Sequence, residues 1–97
     1  MKISIDIDNC FLEYPVTFAN MAKMFQKSGH HVGILTGRSP SNKVNHYGFK
    51  PDFEYYLGSL ESGVEMKTRK IMQENIDIHF DDQADEFRKD LTVIKIT

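Results

Sequence analysis

Cysteine is almost absent from this 97-residue sequence, in which Cys10 stands alone. A single cysteine cannot form a disulfide within the chain, so a small fold stapled by disulfides is excluded. The first residues lack the apolar core of a signal peptide, and no apolar run approaches the length of a membrane span. We therefore expect a cytoplasmic protein without a membrane partner.

An excess of either charge is missing as well, since 12 Lys and Arg face 14 Asp and Glu, for a net charge of −2 with neutral histidines. Such a balance gives no bulk attraction to nucleic acid or anionic membranes, although it does not exclude a local basic patch. The hydrophobic share of 40% is ordinary for a globular protein. Residues 1–97 are expected to form one domain with a modest core.

Short β-branched or aromatic runs alternate with helical patterns along the chain. Strands are predicted over residues 2–7, 30–36, 53–57, 76–80 and 91–96. Helices are predicted from Pro15 to Ser28, between Pro40 and Gly48, over Val64–Glu74 and over Ala84–Lys89, with a turn over residues 58–63. This order predicts an α/β fold, a single Rossmann-like three-layer domain with a five-stranded, mainly parallel sheet.

Polar residues concentrate where three predicted strands end, and they are Asp6 and Asp8, then Thr36, Gly37 and Arg38, then Asp81 and Asp82. Lys67 lies near the start of the helix that precedes the last of these strands. Ligands of open parallel sheets bind at the carboxyl ends of the strands, so these side chains should meet at one edge. One acid pair alone is more often a solvated turn, but two pairs with a hydroxyl and a lysine favour a functional site.

The four carboxylates themselves predict a metal. They cannot lie close together in ionised form without a compensating cation, and Mg²⁺ best fits a set of oxygen ligands. A metal in a ring of acids beside a hydroxyl and a lysine indicates phosphoryl chemistry. In such chemistry one carboxylate can attack phosphorus, while a second acid protonates the leaving oxygen.

The motifs ISIDID, GILT, Lys67 and IHFDD, in this order, resemble the four motifs of the haloacid dehalogenase (HAD) superfamily of phosphatases and phosphotransferases. The resemblance covers residues 3–85. Response-regulator receiver domains also place acids, a threonine and a lysine around Mg²⁺. Their lysine comes last, however, whereas Lys67 precedes the final acid pair here.

The resemblance implies a role for each motif residue. Asp6 would be the nucleophile and a metal ligand, and Asp8 would be the general acid/base with its backbone carbonyl on the metal. Thr36 would hydrogen-bond the phosphoryl oxygens. Lys67 would neutralise their charge, and it is preferred over Lys70 because it lies nearer the start of the helix.

The remaining implied residues concern the metal and the substrate. Asp82 is favoured over Asp81 as the direct Mg²⁺ ligand, with the other acid acting through water, and the choice between them stays open. Asp85 would be an outer acid. Gly37 and Arg38 would bind substrate phosphate, although an exposed loop arginine is an equally good reading of Arg38.

The spacing of the motifs leaves no room for a cap domain and little for a flap, so the chain resembles a minimal capless member. Caps exclude water and select small substrates, so an open site suits a phosphate carried by something large. The series IDIDN, TGR and FDD resembles nucleotidase and nucleic-acid 3′-phosphatase members, which suggests a nucleotide or polynucleotide end. A second copy of the chain covering the site, as a homo-oligomer, is the alternative.

The sequence thus predicts a Mg²⁺-dependent phosphomonoester hydrolase acting through an aspartyl-phosphate. A weak or inactive HAD-fold binding or regulatory module is the alternative, which the missing cap favours. Cys10 is expected to be a buried filler rather than a nucleophile. The histidines show no metal-ligand spacing, so His79 is expected to be a strand residue and His30, His31 and His46 surface residues.

Overall fold

A computed structural model of the protein describes residues 1–58 and 63–96, and a five-stranded sheet forms its centre. The strands are β1 (Lys2–Ile5), β2 (His31–Thr36), β3 (Glu54–Tyr56), β4 (Ile78–Asp81) and β5 (Val93–Lys95). They pair in the order β3-β2-β1-β4-β5, and every pair is parallel. The predicted α/β fold is confirmed, without a cap domain in the described residues, and the strands are shorter than predicted.

Two helices cover the sheet, α1 (Pro15–Lys27) and α2 (Gly63–Gln73). Proline suits the first turn of α1, where its missing N–H would have no helical partner. Gly29 follows the end of that helix with a φ of 91°, a left-handed conformation that favours glycine. Among the described residues, no helix combines the length and the apolar character needed to cross a membrane.

The sheet is buried on both faces. Ile34 belongs to the hydrophobic cluster that includes Phe18 and Ala22 of α1, whereas its neighbour Leu35 belongs to the cluster of Ile71 in α2. Consecutive strand residues point to opposite faces, so the two helices lie on opposite sides of the sheet. This arrangement gives the three layers that the alternation of strands and helices predicted.

The prediction of a short helix between Pro40 and Gly48 is wrong. This segment links β2 to β3 as irregular chain with turns, and Tyr47 and Gly48 have φ angles of 53° and 87°. Val44 is its one aliphatic side chain against the core, and the rings of His46 and Tyr47 lie near Phe11. The segment therefore has no apolar stripe at helical spacing that would hold a helix against the sheet. Its serines and asparagines also favour turns over helix interiors.

Two further boundaries differ from prediction near the end of the chain. The helix predicted over Ala84–Lys89 is a single 3₁₀ turn, Ala84–Glu86, because Phe87 leaves the helix to pack in the cluster of α2. The helix predicted from Val64 begins at Gly63. The turn predicted over residues 58–63 falls on 59–62, which lie outside the described residues.

Candidate active site

The chain turns after β1, and this turn brings Asp6 and Asp8 to the edge of the sheet. The Asp6 N–H donates to the carbonyl of Phe80 at 3.0 Å, which continues the pairing of β1 with β4. A wide turn over Ile7–Phe11 follows, and the Phe11 N–H closes it by donating to the Asp6 carbonyl at 3.1 Å. Asn9 takes the left-handed φ of 55° inside this turn, which asparagine tolerates better than most residues.

A cleft of about 190 Å³ lies at the carboxyl ends of β1, β2 and β4. It is lined by Asp6, Asp8, Asn9, Thr36, Gly37, Gly63, Lys67, Asp82 and Gln83. Six of the predicted site residues are in this set. Arg38 instead lines an adjoining cleft, which shares Asp8 and Gly37 with the first. Asp81 is fully buried and meets the cleft through its contact with Lys67.

Lys67 lies between two buried carboxylates. Its Nζ is 3.2 Å from Oδ2 of Asp6 and 2.9 Å from Oδ2 of Asp81, and its side chain is only 6% exposed. The alternative lysine, Lys70, places its Nζ 4.5 Å from the centre of the Tyr55 ring. The structure therefore brings Lys67, rather than Lys70, to the acids.

Burial dominates the ionisation of Asp6 and raises its pKa to about 7. The positive charge of Lys67 opposes this rise, whereas the negative charge of Asp81 adds to it. Burial also lowers the pKa of Lys67, but attraction to Asp6 and Asp81 outweighs it and the net shift is upward. The lysine therefore stays charged, and Asp6 without a metal is close to half protonated at neutral pH.

Asp81 is the most enclosed acid of the site. Its Oδ2 accepts hydrogen bonds from Lys67 Nζ and from His79 Nε2, each at 2.9 Å, and its Oδ1 accepts the Gln83 N–H at 2.9 Å. Burial raises its pKa, but the hydrogen bond from His79 and the charge of Lys67 hold the pKa well below its usual range. Asp81 is therefore an ionised carboxylate inside the protein.

Sequence reasoning gave His79 no part in the site. The structure buries it completely between Asp81 and Ser4, whose Oγ lies 2.7 Å from His79 Nδ1. One sequence signal does exist, because His79 and Asp81 are two residues apart on one strand and so share a face. The part of Ser4 could not be predicted from the sequence, because it depends on the register of β1 against β4, which pairs Ser4 with His79.

Asp8 and Arg38 form a bidentate ion pair. Nε of Arg38 donates to Oδ2 at 2.9 Å, and a terminal nitrogen donates to Oδ1 at 2.7 Å. The hydrogen bonds from Arg38 lower the pKa of Asp8. The other terminal nitrogen donates to the carbonyl of Asn42 at 3.1 Å. The guanidinium predicted to bind substrate phosphate is therefore already bound to a carboxylate of the same site.

Three carboxylates fit a divalent cation. Asp6, Asp81 and Asp82 each offer one oxygen, and these oxygens all lie within 4.8 Å of one another. An all-oxygen set of this kind suits Mg²⁺. Burial and the neighbouring Asp81 raise the pKa of Asp82, which a bound cation would reverse. Because three hydrogen bonds already occupy Asp81, Asp82 is the freer ligand.

Three other expectations have different outcomes. Cys10 is buried as expected, and burial raises the pKa of its thiol, which keeps it unreactive. Asp85 pairs with Lys95 on the surface and is not one of the three acids whose oxygens could hold a cation, so its outer role stays a prediction. The surface expectation for His46 is also wrong, because its Nε2 is buried without a hydrogen-bond partner.

Comparison with known proteins adds nothing to these residues, because no protein-family model, curated protein or solved structure matches the chain significantly. The resemblance of the motifs to the HAD superfamily therefore stays a prediction from the sequence.

Proposed function

We propose that this protein is a Mg²⁺-dependent phosphomonoester hydrolase that works through an aspartyl-phosphate on Asp6. One observation carries the proposal. A buried lysine, Lys67, contacts Asp6 in a cleft that also presents Asp8, Thr36 and Asp82. A carboxylate next to a fixed cation and a hydroxyl, open to ligand on one side, suits attack on an anionic phosphoryl group.

The first step forms the aspartyl-phosphate. A carboxylate oxygen of Asp6 attacks phosphorus and the bond from phosphorus to the ester oxygen breaks. Asp8, which must first leave Arg38 and take a proton from solvent, gives that proton to the leaving oxygen. Thr36 donates a hydrogen bond to the transferring group, and Lys67 offsets its negative charge. A bound Mg²⁺ would neutralise the clustered acids and the phosphoryl oxygens.

The second step releases phosphate. Asp8, now a carboxylate, takes a proton from water as the water oxygen attacks phosphorus. The bond between phosphorus and the Asp6 oxygen breaks, and the Asp6 carboxylate and inorganic phosphate result. Both steps require Asp8 to leave Arg38, and a substrate phosphate is a competing anion for that guanidinium.

The pair of Asp8 and Arg38 is also the observation that favours the second candidate, a binding or regulatory module. Two hydrogen bonds of 2.7 and 2.9 Å hold the general acid/base away from proton transfer. If the pair persists when phosphate binds, the site retains ligand without turnover. The two candidates therefore differ in whether phosphate displaces Asp8.

The proposed substrate is a phosphate at the end of a larger molecule, a nucleotide or polynucleotide end in the first instance. The proposed catalytic cleft adjoins the cleft lined by Arg38, Ser39 and Asn42, which leaves room beyond the phosphate. Closure by a second copy of the chain is the alternative. A single buried cysteine suits the reducing cytoplasm, which we include in the proposal.

Phosphate release tests the proposal. Purified protein is given p-nitrophenyl phosphate, mononucleotides and oligonucleotides phosphorylated at the 3′ or 5′ end, each with Mg²⁺ and with EDTA. We expect release that needs Mg²⁺ and is lost in Asp6→Asn. Asp90→Asn is the matched control, because Asp90 is an exposed acid whose ion pair is with its chain neighbour Arg88. Binding of Mg²⁺ without release from any substrate would instead favour the binding module.

A further inference from the structure

A chain of hydrogen bonds runs behind the cleft and ends at its lysine. Ser4 Oγ lies 2.7 Å from His79 Nδ1, and His79 Nε2 lies 2.9 Å from Asp81 Oδ2, the oxygen that also accepts Lys67 Nζ. Ser4, His79 and Asp81 are all 0% exposed. Such a dry environment strengthens each hydrogen bond and makes any unpaired member costly.

The partners determine where the protons lie. An ionised Asp81 only accepts hydrogen bonds, so Nε2 of His79 must carry a hydrogen. Nδ1 of a neutral ring is then an acceptor, and the Ser4 hydroxyl donates to it. Ser4 thereby fixes one tautomer of His79, and that tautomer fixes the orientation of the Asp81 carboxylate.

Serine, histidine and aspartate also form nucleophilic triads, but this trio does not suit that chemistry. Ser4 lies inside β1, the central strand, where it is paired on one side with Gly33 and on the other with His79. A nucleophile must reach its substrate, and a fully buried hydroxyl in the middle of a sheet does not. The chain of hydrogen bonds therefore acts on the cleft only through Asp81.

We propose that Ser4 and His79 are positioning residues that hold Asp81 against Lys67. An Asp81 fixed in this way balances Lys67 from behind and keeps its place beside Asp6 and Asp82, the two acids with which it could hold Mg²⁺. The inference rests on the proposed function in that it assumes a metal in this cleft. Outer partners of metal sites typically change metal affinity by about 10- to 100-fold when removed.

Mg²⁺ binding, measured by calorimetry without substrate, tests the role of His79. We expect His79→Phe, which lacks a donor, to bind Mg²⁺ at least about tenfold more weakly than the wild type. His79→Gln places an amide N–H near the position of Nε2 and should restore most of the affinity. Circular dichroism and urea unfolding identify any variant that has lost the fold. A folded His79→Phe with wild-type affinity would overturn the proposal.

Nitrogen-15 NMR of histidine-labelled wild-type protein gives a second test that needs no variant. We expect His79 as a neutral ring with its hydrogen on Nε2, and a hydrogen on Nδ1 alone would overturn the proposal. Ser4→Ala should shift the Nδ1 resonance and weaken Mg²⁺ binding less than His79→Phe does, because the bond from Nε2 to Asp81 survives.

The outcomes separate the two proposals. Failure of the wild type to release phosphate, with the tautomer and the Mg²⁺ affinities as expected, would overturn only the proposed hydrolase activity. A wild type that binds no Mg²⁺ would overturn both proposals.

Discussion

Asp81 and Asp8 are two carboxylates of one site that the protein holds in opposite ways. Asp81 ends β4, an interior strand, is fully buried and accepts hydrogen bonds from Lys67, His79 and the Gln83 backbone. Asp8 lies in the turn after β1, has a side chain that is 48% exposed, and is held by Arg38. The buried acid cannot change partners without leaving the core, whereas the exposed acid can.

The difference indicates how such a site divides its tasks. Groups that must stay in place come from strands and are fixed from behind by other buried side chains. Groups that must exchange a proton or a partner lie in loops, where water screens the ion pair and the energetic penalty for breaking it is small. The pair of Asp81 and Lys67 should therefore matter for stability and metal binding, and the pair of Asp8 and Arg38 for ligand exchange.

Removal of the buried cation should have the largest effect. Lys67→Met leaves Asp6 and Asp81 buried without their positive partner, and breaking a buried pair in this way typically costs about 3–5 kcal/mol. We expect a loss of this size in the free energy of unfolding, measured by urea titration in EDTA. Mg²⁺ should recover part of the loss, because it supplies the missing positive charge.

The matched control for that variant is Lys70→Met, one helical turn further along α2. Lys70 is half-buried and its Nζ lies 4.5 Å from the centre of the Tyr55 ring, a contact that typically contributes about 1 kcal/mol. Equal losses in the two variants would contradict the special place of Lys67 and remove the contrast between the buried and the exposed side of the site.

The next effect in size is a pH dependence caused by Asp6. Its pKa is raised to about 7 in the folded protein, so its favourable contribution is complete below pH 3.8, the ordinary pKa, and is lost as pH rises through 7. Without metal, the wild type should lose up to about 4 kcal/mol of stability relative to Asp6→Asn between pH 4 and 8. Urea unfolding in EDTA across this range measures it, and parallel curves for the two proteins would argue against a buried, shifted Asp6.

The smallest effect concerns the ion pair of Asp8 and Arg38, which a bound phosphate could replace. Asp8→Asn frees the guanidinium of Arg38, so the affinity for inorganic phosphate should rise by up to about fivefold, as expected for an ion pair worth about 1 kcal/mol or less. Calorimetry with phosphate measures this gain. The change should disappear when it is made in Arg38→Gln.

A gain of the same size in the Arg38→Gln background would have another cause. It would mean that Asp8 repels phosphate by its charge alone, and that Arg38 is not the group for which the two anions compete. The double-variant comparison therefore decides whether Asp8 and Arg38 form an exchangeable pair or merely lie side by side.

Sequence reasoning succeeded where one local pattern leads to one outcome. The β-branched run before Asp6 and the apolar run before Thr36 predict strands whatever surrounds them, and parallel strands bring their carboxyl ends to the same edge. Local reasoning failed between Pro40 and Gly48, where a proline and a glycine at helix-like positions flank a segment with too few apolar residues to pack. Pro40 and Gly48 are typical of the two ends of a helix, but the residues between them do not form the apolar face that would stabilise one.

The chain's own sequence determined the α/β order of elements and the acids, hydroxyl and lysine that come to the sheet edge. Periodicity and strand ends are local properties, which neighbouring residues decide. Only the tertiary structure decided that Lys67 meets Asp6 and Asp81, that Arg38 binds Asp8, and that Ser4 reaches Asp81 through His79. The pair of Lys67 and Asp81 is 14 residues apart along the chain and that of Ser4 and His79 is 75 apart, and strand register and burial bring these partners together. Arg38 and Asp8, 30 residues apart, meet because they follow the neighbouring strands β2 and β1.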